Sequence, residues 1–133
     1  MTDTLPGRRV LVVEDEIMVA WVLEDMLAEL GCEIVGPAVR VDQALTLVGA
    51  ETFDLAVLDI NLNGQKSFPI ADALAARGVP FVFSTGYNTE GIPDDYRRYP
   101  MMQKPYNRAD LRRALAQLVP DAFNEKGSSD VAR

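Results

Sequence analysis

Carboxylates, a hydroxyl group and a lysine occur in this sequence at positions from which they could together accept a phosphoryl group. Glu14 and Asp15 directly follow one short apolar run, Asp59 follows another, and Thr85 and Lys104 follow two more. Three carboxylates in one cleft would repel each other, and a hard dication such as Mg²⁺ relieves that repulsion. A nearby lysine would neutralise charge on an incoming phosphoryl group, because phosphoryl transfer depends mainly on positioning and electrostatics.

Each of these residues has an expected role in that chemistry. Asp59 is predicted to supply the nucleophilic oxygen and to become an acyl phosphate. Asp15 and Asp59 are the expected direct Mg²⁺ ligands, with the backbone carbonyl of Asn61 as a third ligand and Glu14 acting through water. Lys104 is expected to neutralise the phosphoryl group from another side.

The composition excludes several other kinds of chemistry. The chain contains no histidine, so it can form no Ser-His-Asp triad, no histidine metal site and no phosphohistidine. Its single cysteine, Cys32, excludes an internal disulfide. The formal net charge of -7 opposes non-specific DNA binding, which depends on Lys and Arg contacts to phosphates. We therefore expect no nucleic acid among its partners.

The apolar segments are too short for a membrane span. A span needs roughly 18–20 apolar residues, and no segment approaches that length. The apolar run at residues 10–13 is also too short for the core of a signal peptide. The sequence therefore predicts a cytoplasmic protein with no membrane partner.

Strand and helix signals alternate along the chain. Apolar, β-branched runs predict strands at residues 9–13, 32–35, 55–58, 80–83 and 101–103. Helical spacing predicts helices at 17–30, 41–48, 70–76 and 94–98, and a last helix that Asn107 caps and that ends before Pro120. This alternation predicts an α/β fold with a doubly wound, five-stranded parallel sheet and helices on both faces. The expected domain covers residues 8–120, between an N-terminal tail at 1–7 and a disordered polar tail at 121–133.

The polar residues at the predicted strand ends resemble those of the response-regulator receiver family. The matching segments are Val-Val-Glu-Asp-Glu at 12–16, Leu-Asp at 58–59, Ser-Thr-Gly at 84–86 and Lys-Pro at 104–105. The resemblance covers about residues 8–119 and implies the flavodoxin-like strand order 2-1-3-4-5. It also implies that Asp59 is the phosphoacceptor, that Thr85 is the switch hydroxyl, and that a cis bond joins Lys104 to Pro105.

The resemblance further implies how such a domain would act. Its partners would be a sensor histidine kinase or a phosphotransferase, and a downstream protein, unless it serves as a phosphate sink. It would catalyse only its own Mg²⁺-dependent phosphorylation and dephosphorylation, and so would not be an enzyme acting on other substrates. With about 14 residues after the last helix, no attached output domain is expected.

A narrower resemblance rests on two segments. Residues 80–87 read Pro-Phe-Val-Phe-Ser-Thr-Gly-Tyr, and residues 59–64 read Asp-Ile-Asn-Leu-Asn-Gly. These segments are similar to the receiver subgroup named FAT GUY, although Ser84 stands where that motif has Ala; Tyr87 ends the motif. The resemblance implies histidine kinases of the HWE or HisKA2 type and bacterial stress signalling.

One position departs from the usual receiver switch. Many receivers carry Tyr or Phe three residues before the lysine, and here that residue is Met101. The segment 87–100 contains Gly91, Pro93 and Pro100, so it can hold at most one short helix. We hypothesise that phosphorylation orders this segment instead of flipping an aromatic ring.

The first predicted helix carries apolar residues on two sides. Met18, Trp21 and Val22 lie away from the core-facing stripe. They could form the rim of the core, or an exposed patch where a kinase or another partner docks.

Three other functions compete with a phosphorylated receiver. The first is a pseudo-receiver, an interaction module that is never phosphorylated. The second is an aspartyl-phosphate hydrolase, which needs a second Asp two residues after the nucleophile, where this chain has Asn61. The third is a flavin-binding module, but acidic residues follow the first strand in place of a Gly- or Ser-rich phosphate loop.

Overall fold

In the computed structural model, residues 5–86 and 91–119 are described, and within these ranges five parallel strands alternate with five helices. The strands of the main sheet are β1 (Arg9–Val13), β2 (Glu33–Ala38), β3 (Leu55–Asp59), β6 (Phe81–Thr85) and β7 (Met101–Gln103). The short strands β4 (Asn61–Leu62) and β5 (Gln65–Lys66) form a separate antiparallel hairpin. The helices are α1 (Ile17–Glu29), α2 (Val41–Ala50), α3 (Phe68–Ala76), α4 (Asp94–Arg97) and α5 (Arg108–Leu118).

The sheet has the predicted topology. Its strand order is β2-β1-β3-β6-β7, which is the order 2-1-3-4-5 once the hairpin strands are left uncounted. The register pairs Val13 with Leu58 and Asp59 with Ser84, so the carboxyl ends of β1, β3 and β6 lie side by side. The doubly wound α/β fold is therefore confirmed, and its sheet edge gathers the polar residues that follow these strands.

Apolar side chains fill both sides of the sheet because strand residues alternate between its faces. Leu11, Val13 and Phe83 belong to the cluster that packs under α2 and α3. Val10 and Val12 belong to the opposite cluster, under α1 and α5. β3 is buried along its whole length, as expected for the central strand of a covered parallel sheet.

The second strand is longer than its sequence predicts. The strand predicted at 32–35 ends before Gly36-Pro37, but β2 continues through these two residues to Ala38. The carbonyl of Ala38 accepts a 2.9 Å hydrogen bond from the backbone N–H of Glu14. The register with β1 shifts at this point, and Gly36 has a φ of 101°. A Cβ there would lie 2.9 Å from the carbonyl oxygen of Val12, so the irregularity requires glycine. Proline is tolerated because β2 is an edge strand.

The two ends of the domain differ in how well they follow the predictions. Asn107 caps α5 as predicted, since its side chain accepts a 2.8 Å hydrogen bond from the N–H of Asp110, which returns a bond to the N–H of Asn107. At the other end, Leu5 is fully buried although its segment was predicted to be a tail. The predicted tail at 121–133 lies outside the described residues. Among the helices described, none is long and apolar enough to cross a bilayer.

Candidate functional site

Three carboxylates meet where β1 and β3 end. Glu14 and Asp15 directly follow β1, and Asp59 is the last residue of β3, its neighbour in the sheet. Oxygen atoms of these three side chains all lie within 4.8 Å of one another. Glu14 and Asp59 are buried, and Asp15 is half-buried. An all-oxygen, acidic donor set of this kind suits a hard divalent cation.

The β4–β5 hairpin lies against these carboxylates. The backbone N–H of Asn63 donates to Oδ2 of Asp15 at 2.8 Å, and the N–H of Asn61 donates to Oδ1 of Asp59 at 3.3 Å. Asn63 and Gly64 have φ values of 50° and 86°, as in the two-residue turns that favour Asn-Gly. The hairpin thus holds two carboxylates through backbone donors, one from its turn and one from β4.

Lys104, which follows β7, reaches the same carboxylates from another side. Its Nζ lies 2.9 Å from Oε1 of Glu14, 3.2 Å from Oδ2 of Asp59 and 3.8 Å from Oε1 of Glu16. Its backbone N–H donates to the carbonyl of Thr85 at 2.8 Å, which ties the end of β7 to the end of β6. The bond from Lys104 to Pro105 is cis, as the resemblance implied.

Burial and the contact between Glu14 and Lys104 together shift the pKa values of these two residues. Burial raises the pKa of Glu14 to about 7, against the opposing hydrogen bonds from Lys104 and from the backbone N–H of Glu16. Burial alone would lower the pKa of Lys104, but its hydrogen bond to Glu14 and the charge of Asp59 outweigh that effect and raise it. Lys104 is therefore charged, and Glu14 takes up a proton more easily than an ordinary Glu carboxyl group does.

A cleft of about 340 Å³ opens on Asp59, and Lys104 is not among the residues that line it. Besides Asp59, the residues around it include Asn61, Lys66, Thr85, Gly86 and Gly91. Thr85 ends β6 and is almost fully buried, so its side chain lies at the wall of the cleft where a group attached to Asp59 would extend. The size of the cleft is sufficient for a phosphoryl group and bound water.

The structure describes only one of the two residues, Met101 and Tyr87, that were linked with the switch besides Thr85. Met101 is half-buried at the start of β7, opposite Phe83 in the register, and it packs against the cluster under α2 and α3. It is not among the residues around the cleft. Tyr87 lies outside the described residues, so its role stays a prediction.

The apolar side of α1 that faces away from the core is exposed. Met18, Trp21 and Val22 are 66%, 56% and 56% exposed, and Ile17 beside them is 61% exposed. Trp21 thus exposes more than half of its surface, and whether it forms the rim of the core or a docking patch stays a prediction. An apolar groove of about 280 Å³ adjoins them; it is lined by Met18, Val19, Val22, Met26, Lys104, Pro105 and Tyr106. The name α1 patch is used below for Ile17, Met18, Trp21 and Val22.

Two features of the site were missed by sequence reasoning. Lys66 borders the cleft because the hairpin carries it there, and the hairpin was not predicted. The Asn63-Gly64 dipeptide was an available signal, since Asn-Gly favours two-residue hairpin turns. Ile17 was not recognised as part of the α1 patch.

Comparison with known proteins finds relatives that match most of this chain. Transcriptional regulatory protein PdtaR of Mycobacterium tuberculosis is 30% identical over 127 residues, which cover 92% of this chain and 62% of that protein. The chain thus spans less than two thirds of this curated relative.

Solved structures give a similar result. SdrG of Sphingomonas melonis is 40% identical with a TM-score of 0.76, over 86% of this chain and 98% of that one. A second SdrG structure, in a BeF3-activated conformation, is 41% identical with a TM-score of 0.73, over 90% and 100% of the two chains. The response regulator PhyR of Brucella abortus is 28% identical with a TM-score of 0.75, over 92% and 50%.

The family model described as the response regulator receiver domain matches residues 10–116, which include every strand of the main sheet except the first residue of β1. The chain therefore belongs to the response-regulator receiver family, whose members act in two-component systems.

Proposed function

We propose that this chain is a phosphorylatable receiver that accepts a phosphoryl group on Asp59 from a sensor histidine kinase or a phosphotransferase. The surroundings of Asp59 carry the proposal. Its Oδ2 pairs with Lys104 at 3.2 Å, two more carboxylates lie beside it, and an open cleft of about 340 Å³ adjoins it.

In the proposed reaction, a carboxylate oxygen of Asp59 forms a bond to phosphorus while the bond from phosphorus to the donor breaks. The leaving group departs with that electron pair. Lys104 stabilises charge on the phosphoryl oxygens, and the Thr85 hydroxyl donates to one of them after transfer. Asp15, Asp59 and the backbone carbonyl of Asn61 would hold Mg²⁺, with Glu14 acting through water. When bound, the ion supplies further neutralisation of phosphoryl charge.

The output of the domain is proposed to pass through another protein, unless the domain serves as a phosphate sink. The likeness to SdrG and PhyR supports a partner-based role, since PhyR is described as a stress response regulator. A histidine kinase of the HWE or HisKA2 type is the proposed donor, and the α1 patch is its proposed docking surface. In this role the chain turns over no other substrate, so it is not an enzyme in the ordinary sense. Its proposed location is the cytoplasm, where such kinases phosphorylate their partners.

The experiment that tests the proposal is incubation with acetyl phosphate and Mg²⁺, read by intact mass. We expect the mass of one phosphoryl group to be added, and we expect none on Asp59→Asn or in the presence of EDTA. If the unmutated protein binds Mg²⁺ but gains no mass, the chain is instead a non-phosphorylated interaction module.

A further inference from the structure

We propose that Lys66 is a second cation directed at the phosphoryl group, and that it acts from the cleft side of Asp59, away from Lys104. The inference rests on the proposed phosphorylation of Asp59 and concerns the same site. It follows from where the hairpin places Lys66 and from how charge is distributed on the two sides of Asp59.

The hairpin register sets the position of Lys66. Lys66 in β5 pairs directly with Asn61 in β4, and side chains of directly opposed residues project from the same face of a hairpin. Both residues border the cleft, together with Asp59 and Thr85. The turn at Asn63 is fixed by its 2.8 Å hydrogen bond to Asp15, so the hairpin is tied to the carboxylates themselves.

Lys66 and Lys104 border two different depressions in the surface. Lys104 is held by Glu14 and Asp59 and faces the groove below α1, and it does not border the cleft. Lys66 is the one cation among the described residues around the cleft. A phosphoryl group on Asp59 must extend into open space, and the cleft is that space.

The side chain of Lys66 is available for such a contact. It is exposed, and among the residues that the structure describes its ammonium has neither an ion pair nor a hydrogen bond. Lys104 already pairs with two carboxylates, so its charge is partly neutralised before a phosphoryl group arrives. An unpaired ammonium adds attraction for an anionic donor, and salt screens that attraction because the group is solvent-exposed.

The reaction in the test is transfer from acetyl phosphate: the bond from the acetyl oxygen to phosphorus breaks, a bond from Asp59 to phosphorus forms, and acetate leaves. Initial rates of mass gain are measured with Mg²⁺ for the unmutated protein, Lys66→Gln, Lys66→Arg and Arg77→Gln. Arg77 follows α3, and its side chain donates a hydrogen bond to the carbonyl of Glu51, at the sheet edge opposite the cleft. The Arg77→Gln variant therefore controls for the loss of one positive charge away from the cleft. Thermal unfolding shows that each variant is folded.

We expect Lys66→Gln to be phosphorylated roughly three- to tenfold more slowly, because an exposed cation contributes less than a buried one. Lys66→Arg should restore at least half of the rate, and Arg77→Gln should match the unmutated protein. The rate of Lys66→Gln should also fall less steeply with added salt. A rate for Lys66→Gln within 1.5-fold of the Arg77→Gln rate would overturn the role of Lys66 while leaving the phosphorylation of Asp59 intact. If the unmutated protein gains no mass at all, both proposals fail together.

Discussion

The Nζ of Lys104 lies 3.2 Å from Oδ2 of Asp59, although the two residues are 45 positions apart in the chain. The carboxylate is almost fully buried, and the lysine side chain is 21% exposed. A buried carboxylate without a partner carries a large desolvation cost, so this ion pair compensates for the burial of Asp59.

Replacing Lys104 by Met tests that compensation. We expect the free energy of unfolding to fall by about 1–3 kcal/mol without Mg²⁺, because Glu14 and Asp59 lose their shared cation. Adding Mg²⁺ should recover part of the loss, since a dication can take over the charge. Urea denaturation with and without Mg²⁺ measures both effects.

Lys66→Met is the matched control for that experiment, because Lys66 is exposed and its ammonium has no ion pair in the described part of the chain. Its unfolding free energy should change by less than about 0.5 kcal/mol. Equal losses for the two lysine variants would contradict a stabilising role for the Lys104 pair.

The raised pKa of Glu14 predicts how stability depends on pH. With a pKa of about 7 in the folded chain and 4.5 as the ordinary value, the folded state binds the proton more tightly than the unfolded state. The unfolding free energy, measured without Mg²⁺, should therefore fall as pH rises from about 4.5 to 7, by up to about 3 kcal/mol, and then stay level.

The Glu14→Gln variant should lose this slope and should be more stable than the unmutated protein at pH 8, because an amide needs no proton to be buried. Glu33→Gln serves as the control, since Glu33 is an exposed residue of β2. Denaturation series at pH 5, 6, 7 and 8 provide the comparison. Parallel pH profiles for Glu14→Gln and Glu33→Gln would show that the slope has another origin.

The main sheet could be predicted because its signals are long and consistent. The strands β1, β3 and β6 each contain a run of apolar residues, most strands are followed by a helical repeat, and parallel strands bring their carboxyl ends to one edge. That edge is where Glu14, Asp59, Thr85 and Lys104 lie. The side-chain contacts between them could not be predicted, because the 2.9 Å bond from Lys104 to Glu14 depends on cross-sheet register and rotamer.

Short elements were the least predictable. Strands of two residues, such as β4 and β5, are too short to show alternation, so Lys66 was not connected with the cleft. The burial of Leu5 was missed for a related reason, since a single apolar residue before a Pro-Gly turn has no periodic partners. Gly36-Pro37 was misread because a bulge in an edge strand uses the residue types that usually end a strand.

Thr85 is expected to couple phosphorylation to the segment after β6. Its hydroxyl would gain a hydrogen bond to a charged phosphoryl oxygen, worth roughly 1.5–3 kcal/mol, which is similar to a typical allosteric coupling of about 1–3 kcal/mol. In the structure this segment contains only the single turn of α4 between residues 91 and 100. Beryllofluoride with Mg²⁺, used as a phosphoryl mimic, should slow amide hydrogen exchange there.

In Thr85→Ala the mimic should still bind, but exchange at residues 91–100 should no longer respond to it. Amide exchange read by mass spectrometry, with and without the mimic, makes the comparison for both proteins. Equal protection of the unmutated protein in the two states would contradict the ordering hypothesis. A full response in Thr85→Ala would instead show that another residue carries the coupling.

Trp21 should matter for transfer from a kinase and for little else. It is 56% exposed on α1, so Trp21→Ala should change the unfolding free energy by less than about 0.5 kcal/mol and leave the acetyl phosphate rate unchanged. Loss of an aromatic anchor from an interface typically costs 1 kcal/mol or more, so phosphotransfer from an autophosphorylated histidine kinase should slow about tenfold.

Leu45→Ala is the control for this experiment, because Leu45 is a 37% exposed apolar residue on a different helix, α2. It should leave the rate of transfer from the kinase unchanged. Because Trp21 is the only tryptophan in the chain, its fluorescence should also shift when the kinase binds. Unchanged phosphotransfer in Trp21→Ala would exclude the α1 patch as the docking surface while leaving the chemistry at Asp59 unaffected.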